Sequence, residues 1–220
     1  MNEILKEYLD IICMGILDDV IIYSQNLEEH VQHVRSILAV LRQHRLYAKI
    51  EKCEFHKPSM TFVGFLVSSE GIGMDPVKVS VVTEGPTPRS VKEVQSFLGF
   101  ANFYRKFIAD YSAIASPLTN LTRKVSKTVR FTWTPAAEAA FIPLQQAFIS
   151  TPILQHFQPS KPLTIEADAS DFALGCIFSQ TSAARDLLPI CFYSKKFITA
   201  ELNYPIYNKE LLAVVEAFRQ

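Results

Sequence analysis

The sequence predicts an α+β fold, with short hairpins and amphipathic helices in separate runs. Three observations predict it. Near the N-terminus the apolar runs IICMGIL and VIIY flank the two-residue polar link Asp18-Asp19. Two stretches, LEEHVQHVRSILAVLRQHRLY and SVKEVQSFLGFANFYRKFI, repeat apolar residues at helical spacing. From residue 161 three successive strand-like stretches are followed by a final helix.

Composition supports a folded chain. Of 220 residues 49% are apolar, with 16 Phe, 8 Tyr and only 7 Gly, which indicates a real core and not a disordered segment. Net charge is zero, so no overall basic excess argues for nucleic acid. Basic residues are nevertheless uneven. Between 42 and 57, Arg42, Arg45, Lys49, Lys52 and Lys57 face only Glu51 and Glu54, and RKVSKTVR gathers Arg123, Lys124, Lys127 and Arg130 without acids. An ordinary solvated surface accounts for both unless a partner is known. The cysteines at 13, 53, 176 and 191 form no CxxC pair and read as small core residues of a reducing compartment. The first twenty residues carry four charges before the Asp pair and no signal-peptide pattern, and no apolar run approaches membrane-spanning length. The expectation is a soluble, intracellular protein with no membrane partner.

Taken in order, the first element is a hairpin whose turn is Asp18-Asp19. Asp suits turns because its side chain bonds the local backbone. Paired carboxylates on a rigid hairpin can also form half of a divalent-metal site, because hard cations such as Mg²⁺ take oxygen ligands. Local sequence leaves both readings open. The first helix follows, with Asn26 as N-cap, Glu29 three residues on, and Leu27, Val31, Val34, Ile37, Leu38 and Leu41 as its stripe. His30 and His33 lie three residues apart, but without a third ligand in view they read as surface residues. YAKIEKCEF and MTFVGFLVS predict two strands separated by a Lys-Pro turn, and SEGIGMDP a turn-rich break near residue 75. Ser90 and Glu93 open a second helix, with Val94, Leu98, Ala101, Tyr104 and Ile108 on one face. Thr134-Pro135 opens a third. Pro143 inside it removes a hydrogen bond and adds a clash of about 3 kcal/mol, which predicts a kink or break. PLTIEADAS then alternates Leu163, Ile165 and Ala167 against Thr164, Glu166 and Asp168. FALGCIFSQ and LPICFYSKK read as two more strands, and YNKELLAVVEAFRQ as a helix.

Read together, these pieces resemble the pol polyprotein of gypsy-type LTR retrotransposons. The matching stretches are LDDVIIYS, LYAKIEKCEF, FVGFLVSSEGI with DPVKV, VQSFLGFANFYRKFI, SPLTNLT, FTW, AAF with TPIL, ADAS and NKELLAVV, in the family's order over nearly the whole chain. The resemblance implies the rear of a reverse transcriptase palm in 1–75, a helical thumb and linker in 76–157, and the first half of an RNase H-like domain in 158–220. It implies RNA-directed DNA polymerase and RNA–DNA hybrid ribonuclease activity in the parent. Asp18 and Asp19 would help hold two Mg²⁺ (or Mn²⁺) ions that activate the primer 3′-hydroxyl and steady the leaving pyrophosphate. Phe62, Gly64 and Phe65 in FVGF would form the primer grip, with Gly64 letting the backbone approach the primer end. Asp168 and Glu210 would be carboxylates of the RNase H centre, where two cations flank a scissile RNA phosphate. The implied partners are a primer–template or RNA–DNA hybrid and the rest of the polyprotein. A non-catalytic binding module is the rival reading.

The sequence departs from the family pattern at Ile16 (usually the Tyr of Tyr-x-Asp-Asp), Gly85 (usually Trp), Ala167 (usually Thr) and Pro143. The family also uses one further Asp upstream of the hairpin and further RNase H carboxylates downstream, so each centre is expected to hold at most two of its ligands here. The isolated chain is accordingly expected to show neither activity, and to be marginally stable because its last strands and helix offer an open edge and apolar surface.

Overall fold

The computed structural model describes residues 1–123 and 131–220, which divide into two units, 1–69 and 70–220. In the first unit β1 (Cys13–Ile16) and β2 (Asp19–Ile22) form an antiparallel hairpin in which Ile16 faces Asp19. The two-residue turn is therefore Leu17-Asp18, one residue earlier than the Asp-Asp link predicted, and Asp19 opens β2. In this register Val20 and Ile22 face the core of the unit, and a slip by one residue would turn both away from it.

α1 (Leu27–Gln43) starts where Asn26 accepts a hydrogen bond from the Glu29 amide at 2.9 Å. Ile37 and Leu41 from its predicted stripe join Leu5 and Cys13 in the core of this unit, with Val20 and Ile22 packed against them. Leu27 and Leu38 stay exposed, so the buried stripe is narrower than the sequence suggested. YAKIEKCEF is not a strand: it forms a 3₁₀ turn (Ile50–Lys52) within a loop. MTFVGFLVS instead supplies two strands, β3 (Ser59–Phe62) and β4 (Phe65–Ser68), joined through Val63-Gly64. The loop lacks the alternation that would bury one face, whereas the Val-Gly pair permits a tight reversal.

In the second unit SEGIGMDP is not a simple break. Its Gly71–Met74 is a strand, β5, whose Ile72 pairs with Leu154. A Cβ on Gly71 would meet the Leu154 carbonyl oxygen at 2.2 Å, and φ there is +145°, so glycine is required. α2 (Pro76–Thr83) follows, capped by Asp75, whose side chain accepts from the Val77 amide. At its end, a Cβ on Gly85 would lie 3.0 Å from the Val81 carbonyl oxygen, leaving little room for a large side chain.

α3 (Val91–Phe103) opens on the predicted Ser90 and Glu93 pair. The Glu93 carboxylate also accepts from the Arg89 amide at 2.7 Å and the Ser90 hydroxyl at 3.1 Å. α3 ends before the predicted limit, in a 3₁₀ turn at Arg105–Phe107, yet Val94, Ala101, Tyr104 and Ile108 of the predicted face are buried and Leu98 is half-buried. Two short helices follow, α4 (Tyr111–Ile114) and α5 (Ser116–Leu121).

α6 (Pro135–Ser150) runs through Pro143 without the break that was one of the two outcomes predicted, a kink or a break. Ala140, Phe141, Leu144 and Phe148 are buried on its inner face, and their packing outweighs the single lost bond. Phe141 packs at a tilt on Phe97 and edge-on to Trp133, and Phe148 at a tilt on Phe100 and edge-on to Tyr104, forming an aromatic core.

β6 (Leu163–Ala169), β7 (Ala173–Thr181) and β8 (Leu187–Lys196) form an antiparallel meander, with an irregularity between Phe178 and Ser179. The predicted alternation in β6 is observed from Ile165 onward, while Leu163 stays exposed. Ile165, Ala167 and Ala169 pack with Leu174, Cys176, Ala213 and Ala217 between the sheet and α8 (Ile206–Ala217). A short α7 (Thr199–Leu202) precedes α8. On α8, Leu211, Val215 and Phe218 remain exposed, and Ala213 and Ala217 make the seal. The opposite sheet face is tied to the helices: Arg105 donates to the Ser194 carbonyl at 2.8 Å, the Ser112 amide to the Ser194 hydroxyl at 2.9 Å, and Lys196 to the Ser116 hydroxyl at 2.7 Å. In this setting burial pushes the Tyr111 phenol up to about 12.

Candidate functional site

The candidate residues fall in three places. At the β1–β2 tip, Asp18 and Asp19 are exposed on adjacent positions. Leu17 holds φ at 54°, the left-handed region that a leucine rarely adopts. Ile16, beside them, is 39% exposed. The tip thus presents two neighbouring carboxylates, Asp18 in the turn and Asp19 at the first position of β2.

At the β3–β4 tip, Val63 and Gly64 have φ of 49° and 82°. Two consecutive positive values are those of a mirror-image turn, which suits Gly64 and strains the β-branched Val63. Gly64 is thus needed first for the turn itself. Phe62 is buried and pairs across the hairpin with Phe65, which is half-buried.

The third place is the C-terminal end of β6. Asp168 is exposed on the sheet face opposite α8 and accepts from the Ala169 amide at 2.8 Å. The following turn is closed by Ser170, whose hydroxyl accepts from the amides of Phe172 and Ala173. Lys209 of α8 is buried, lies over the Phe197 ring, and donates to the Asp171 carbonyl at 3.3 Å. That bond sets the first turn of α8 at the end of β6 that carries Asp168. Glu210, next to Lys209, is exposed there. Ala167 packs against the core beneath this end, where a small side chain suits the close approach of α8.

A pocket of about 200 Å³ beside Asp168 is lined also by Glu166 and Asp110. A Cβ on Gly175 in its floor would come within 2.5 Å of the Asp110 carboxylate. Glu166 could have been read from the period-2 spacing to Asp168. Asp110 could not, since it is brought in from the turn before α4 by tertiary packing. Among the described residues, no three His, Cys, Asp or Glu side chains already converge as a metal-binding group. None of Asp18, Asp19, Asp168 and Glu210 is in an ion pair among the described residues. The donors are oxygen-only and accessible, a chemistry that fits a hard divalent cation.

Nearby charges are otherwise structural. Lys195 bridges Glu201 and Glu216, each at 3.3 Å, and Arg219 donates to Glu216 at 2.8 Å. Burial pulls the Lys195 ammonium down, but the hydrogen bonds and charges of the two glutamates outweigh it and leave it raised. Of the basic clusters, Arg42, Arg45, Lys49, Lys52 and Lys57 are all exposed, and Lys124, Lys127 and Arg130 lie outside the described residues. No described helix is long and apolar enough to cross a membrane.

A strand–turn–strand that presents paired aspartates, followed by helices and a three-stranded meander sealed by a helix, defines a reverse transcriptase segment joined to an RNase H-like fold. Residues 1–67 match the family described as reverse transcriptase (RNA-dependent DNA polymerase), and residues 133–220 the RNase H-like domain found in reverse transcriptase. The Transposon Tf2-3 polyprotein of Schizosaccharomyces pombe is 36% identical over 219 residues, and the Tf2-7 polyprotein 35%. Each match covers 100% of this chain and 16% of the polyprotein, so the chain spans about one sixth of those relatives. The fold is also that of the foamy viral protease-reverse transcriptase solved with RNA/DNA hybrid (TM-score 0.82, 22% identity, 99% of this chain and 29% of that one). The same viral protein solved with dsDNA gives a TM-score of 0.81 at 22% identity, over 99% and 44% of the two chains. The chain belongs to the gypsy-type LTR retrotransposon pol family. Reverse transcriptase and RNase H domains of this kind generally use divalent metal ions.

Proposed function

We propose that this chain contributes to two carboxylate centres of a retrotransposon polymerase. Residues 1–75 form the rear of the palm, 76–157 the thumb and linker, and 158–220 the first half of the RNase H-like domain. Asp18 and Asp19 serve RNA-directed DNA synthesis, and Asp168 and Glu210 serve cleavage of the RNA strand of a hybrid. The observation that carries this reading is the exposure of both carboxylate pairs on ordered elements, without a Lys or Arg neutralising either. Mg²⁺ or Mn²⁺ held by these residues would supply Lewis-acid stabilisation of the developing phosphate charge. The β3–β4 tip, with Phe62, Gly64 and Phe65, lies against the primer strand. The site is completed by other parts of the polyprotein, and the protein works inside the cell.

The test uses a polyprotein that carries this segment at the length of the Tf2 relatives. Asp18→Asn should abolish DNA synthesis and leave hybrid cleavage intact, and Asp168→Asn should do the reverse. Each loss should be roughly a hundredfold or more, as for other single groups that stabilise charge in a transition state. Equal loss of both activities from either substitution would refute the assignment of two centres. Cleavage of an RNA–DNA hybrid by the isolated chain, abolished in Asp168→Asn, would refute the view that this segment needs the rest of the polyprotein.

A further inference from the structure

The sheet register of the second unit sets three residues in one row on the face opposite α8. Asp168 of β6 pairs with Gly175 of β7, and Gly175 pairs with Ser194 of β8. Directly paired residues point their side chains to the same face, with neighbouring Cβ atoms about 5 Å apart. The middle place has no side chain of its own. Asp110 takes it, with a carboxylate oxygen 2.5 Å from where a Gly175 Cβ would stand. A second acid therefore lies one strand away from Asp168, brought there from the turn before α4.

Buried hydrogen bonds hold Asp110 in that seat. The Ser112 amide donates to the Ser194 hydroxyl at 2.9 Å, which donates on to the Ser112 hydroxyl at 3.0 Å. Arg105 donates to the Ser194 carbonyl at 2.8 Å. Ser194 is buried, so these bonds lie away from water, where they are strong and directional. The Asp110 backbone has φ of 52°, and its carbonyl accepts from the amides of Ala113 and Ile114. Its carboxylate stays exposed and belongs to none of the ion pairs among the described residues. Glu166, two residues before Asp168, continues the acidic border along the same face.

We propose that Asp110 is a specificity-determining residue: on the reading of Asp168 as a carboxylate of hybrid cleavage, the Asp110 charge bars the phosphates of an RNA–DNA hybrid from the β7 side of Asp168. A nucleic-acid backbone carries a negative charge at every phosphate, and a carboxylate fixed beside its path repels any strand that strays over the sheet. The phosphates then meet Asp168 only from the free side of β6, the outer strand of the three. A neutral residue in the seat would open a second, shifted pose, in which the hybrid binds but its scissile bond is out of line.

The experiment uses a polyprotein that carries this segment and a hybrid whose RNA strand is end-labelled, so that rate and cut position are read together. Hybrid cleavage that survives Asp168→Asn overturns the reading of the centre itself. With cleavage abolished in that control, Asp110→Asn should lower KM and kcat together by about two- to fivefold, the effect of one screened charge pair. Its cuts should spread onto neighbouring positions, because part of the bound hybrid is shifted. Gly175→Ala puts a methyl in the seat, so it should push the carboxylate out, reproduce this pattern and add nothing to Asp110→Asn. If Gly175→Ala does not fold, Asp110→Asn decides alone, since it removes the charge and keeps the shape. Unchanged KM and cut positions in Asp110→Asn overturn the proposal. So does a loss of kcat at unchanged KM, which would make Asp110 a catalytic group, or a lower melting temperature with unaltered cuts, which would make it structural only.

Discussion

The hairpin tips beside Asp18-Asp19 and beside Asp168 are built in opposite ways. The β1–β2 tip holds Asp18 and Asp19 beside a leucine forced to φ 54°, with no side-chain hydrogen bond closing the turn among the described residues. The β6–β7 tip follows Asp168 and is locked by Ser170, whose hydroxyl takes two backbone amides and whose own amide donates to the Ala173 carbonyl. One tip stores strain and the other relieves it. The difference extends to the packing beneath. Asp168 stands on a seven-residue strand sealed by α8 in a unit with a large aromatic core. Asp18 and Asp19 stand on a four-residue pair over a small core of Leu5, Cys13, Ile37 and Leu41. Rigidity at the second site comes from packing, and at the first from a constrained backbone.

Four measurements break or sharpen this comparison. The largest effect lies in the core of the second unit. Leu144 is fully buried, and Leu144→Ala should cost about 2–5 kcal/mol, read as a lower urea midpoint in the fluorescence of Trp133. An unchanged midpoint would remove the packing argument. Next, Val63→Gly and Leu17→Gly should each stabilise the first unit by roughly 1 kcal/mol. Release of strain of order 1–3 kcal/mol outweighs the extra chain entropy of glycine. Val63→Gly should gain more, because a β-branched residue fits φ 49° worst. Thermal melts followed by circular dichroism test this, and a loss of stability in both variants would show that neither tip is strained.

Ser170→Ala should cost about 1 kcal/mol and speed amide exchange at Phe172 and Ala173, without touching the β1–β2 hairpin. The smallest effect is one of pH. Lys195 has a native pKa raised above its unfolded value, so its contribution is complete below the ordinary lysine range. It is lost as pH rises through the raised value. The Trp133 transition should therefore fall above that range, and Lys195→Met should flatten the fall.

Much of the fold was legible because local signals agreed with burial. Asn26, Ser90 and Thr134 each cap the helix their position announced, and the alternation of β6 named its inner and outer faces. The misreadings share a cause. At Pro143 a local penalty of about 3 kcal/mol was outweighed by the buried face around Phe141, Leu144 and Phe148. At Gly71 a turn-like segment became a strand because Leu154, over eighty residues later, pairs with it. At YAKIEKCEF apolar residues gave no alternation, and Tyr47 and Ile50 remain exposed in a loop. The candidate carboxylates were visible through their motifs, but Asp110 beside Asp168 was not.

The sequence by itself determined the class of the protein, the helix starts at Asn26, Ser90 and Thr134, and the identity of the carboxylates that motifs announce. These depend on contacts within a few residues, where capping, periodicity and turn chemistry act. Only the tertiary structure decided which side chains meet across long stretches of chain. It placed α8 over the end of β6 through Lys209 and Asp171, Asp110 over Gly175, and His56 against His30. Those meetings follow from burying apolar faces against one another, a collective energy that no local pattern records.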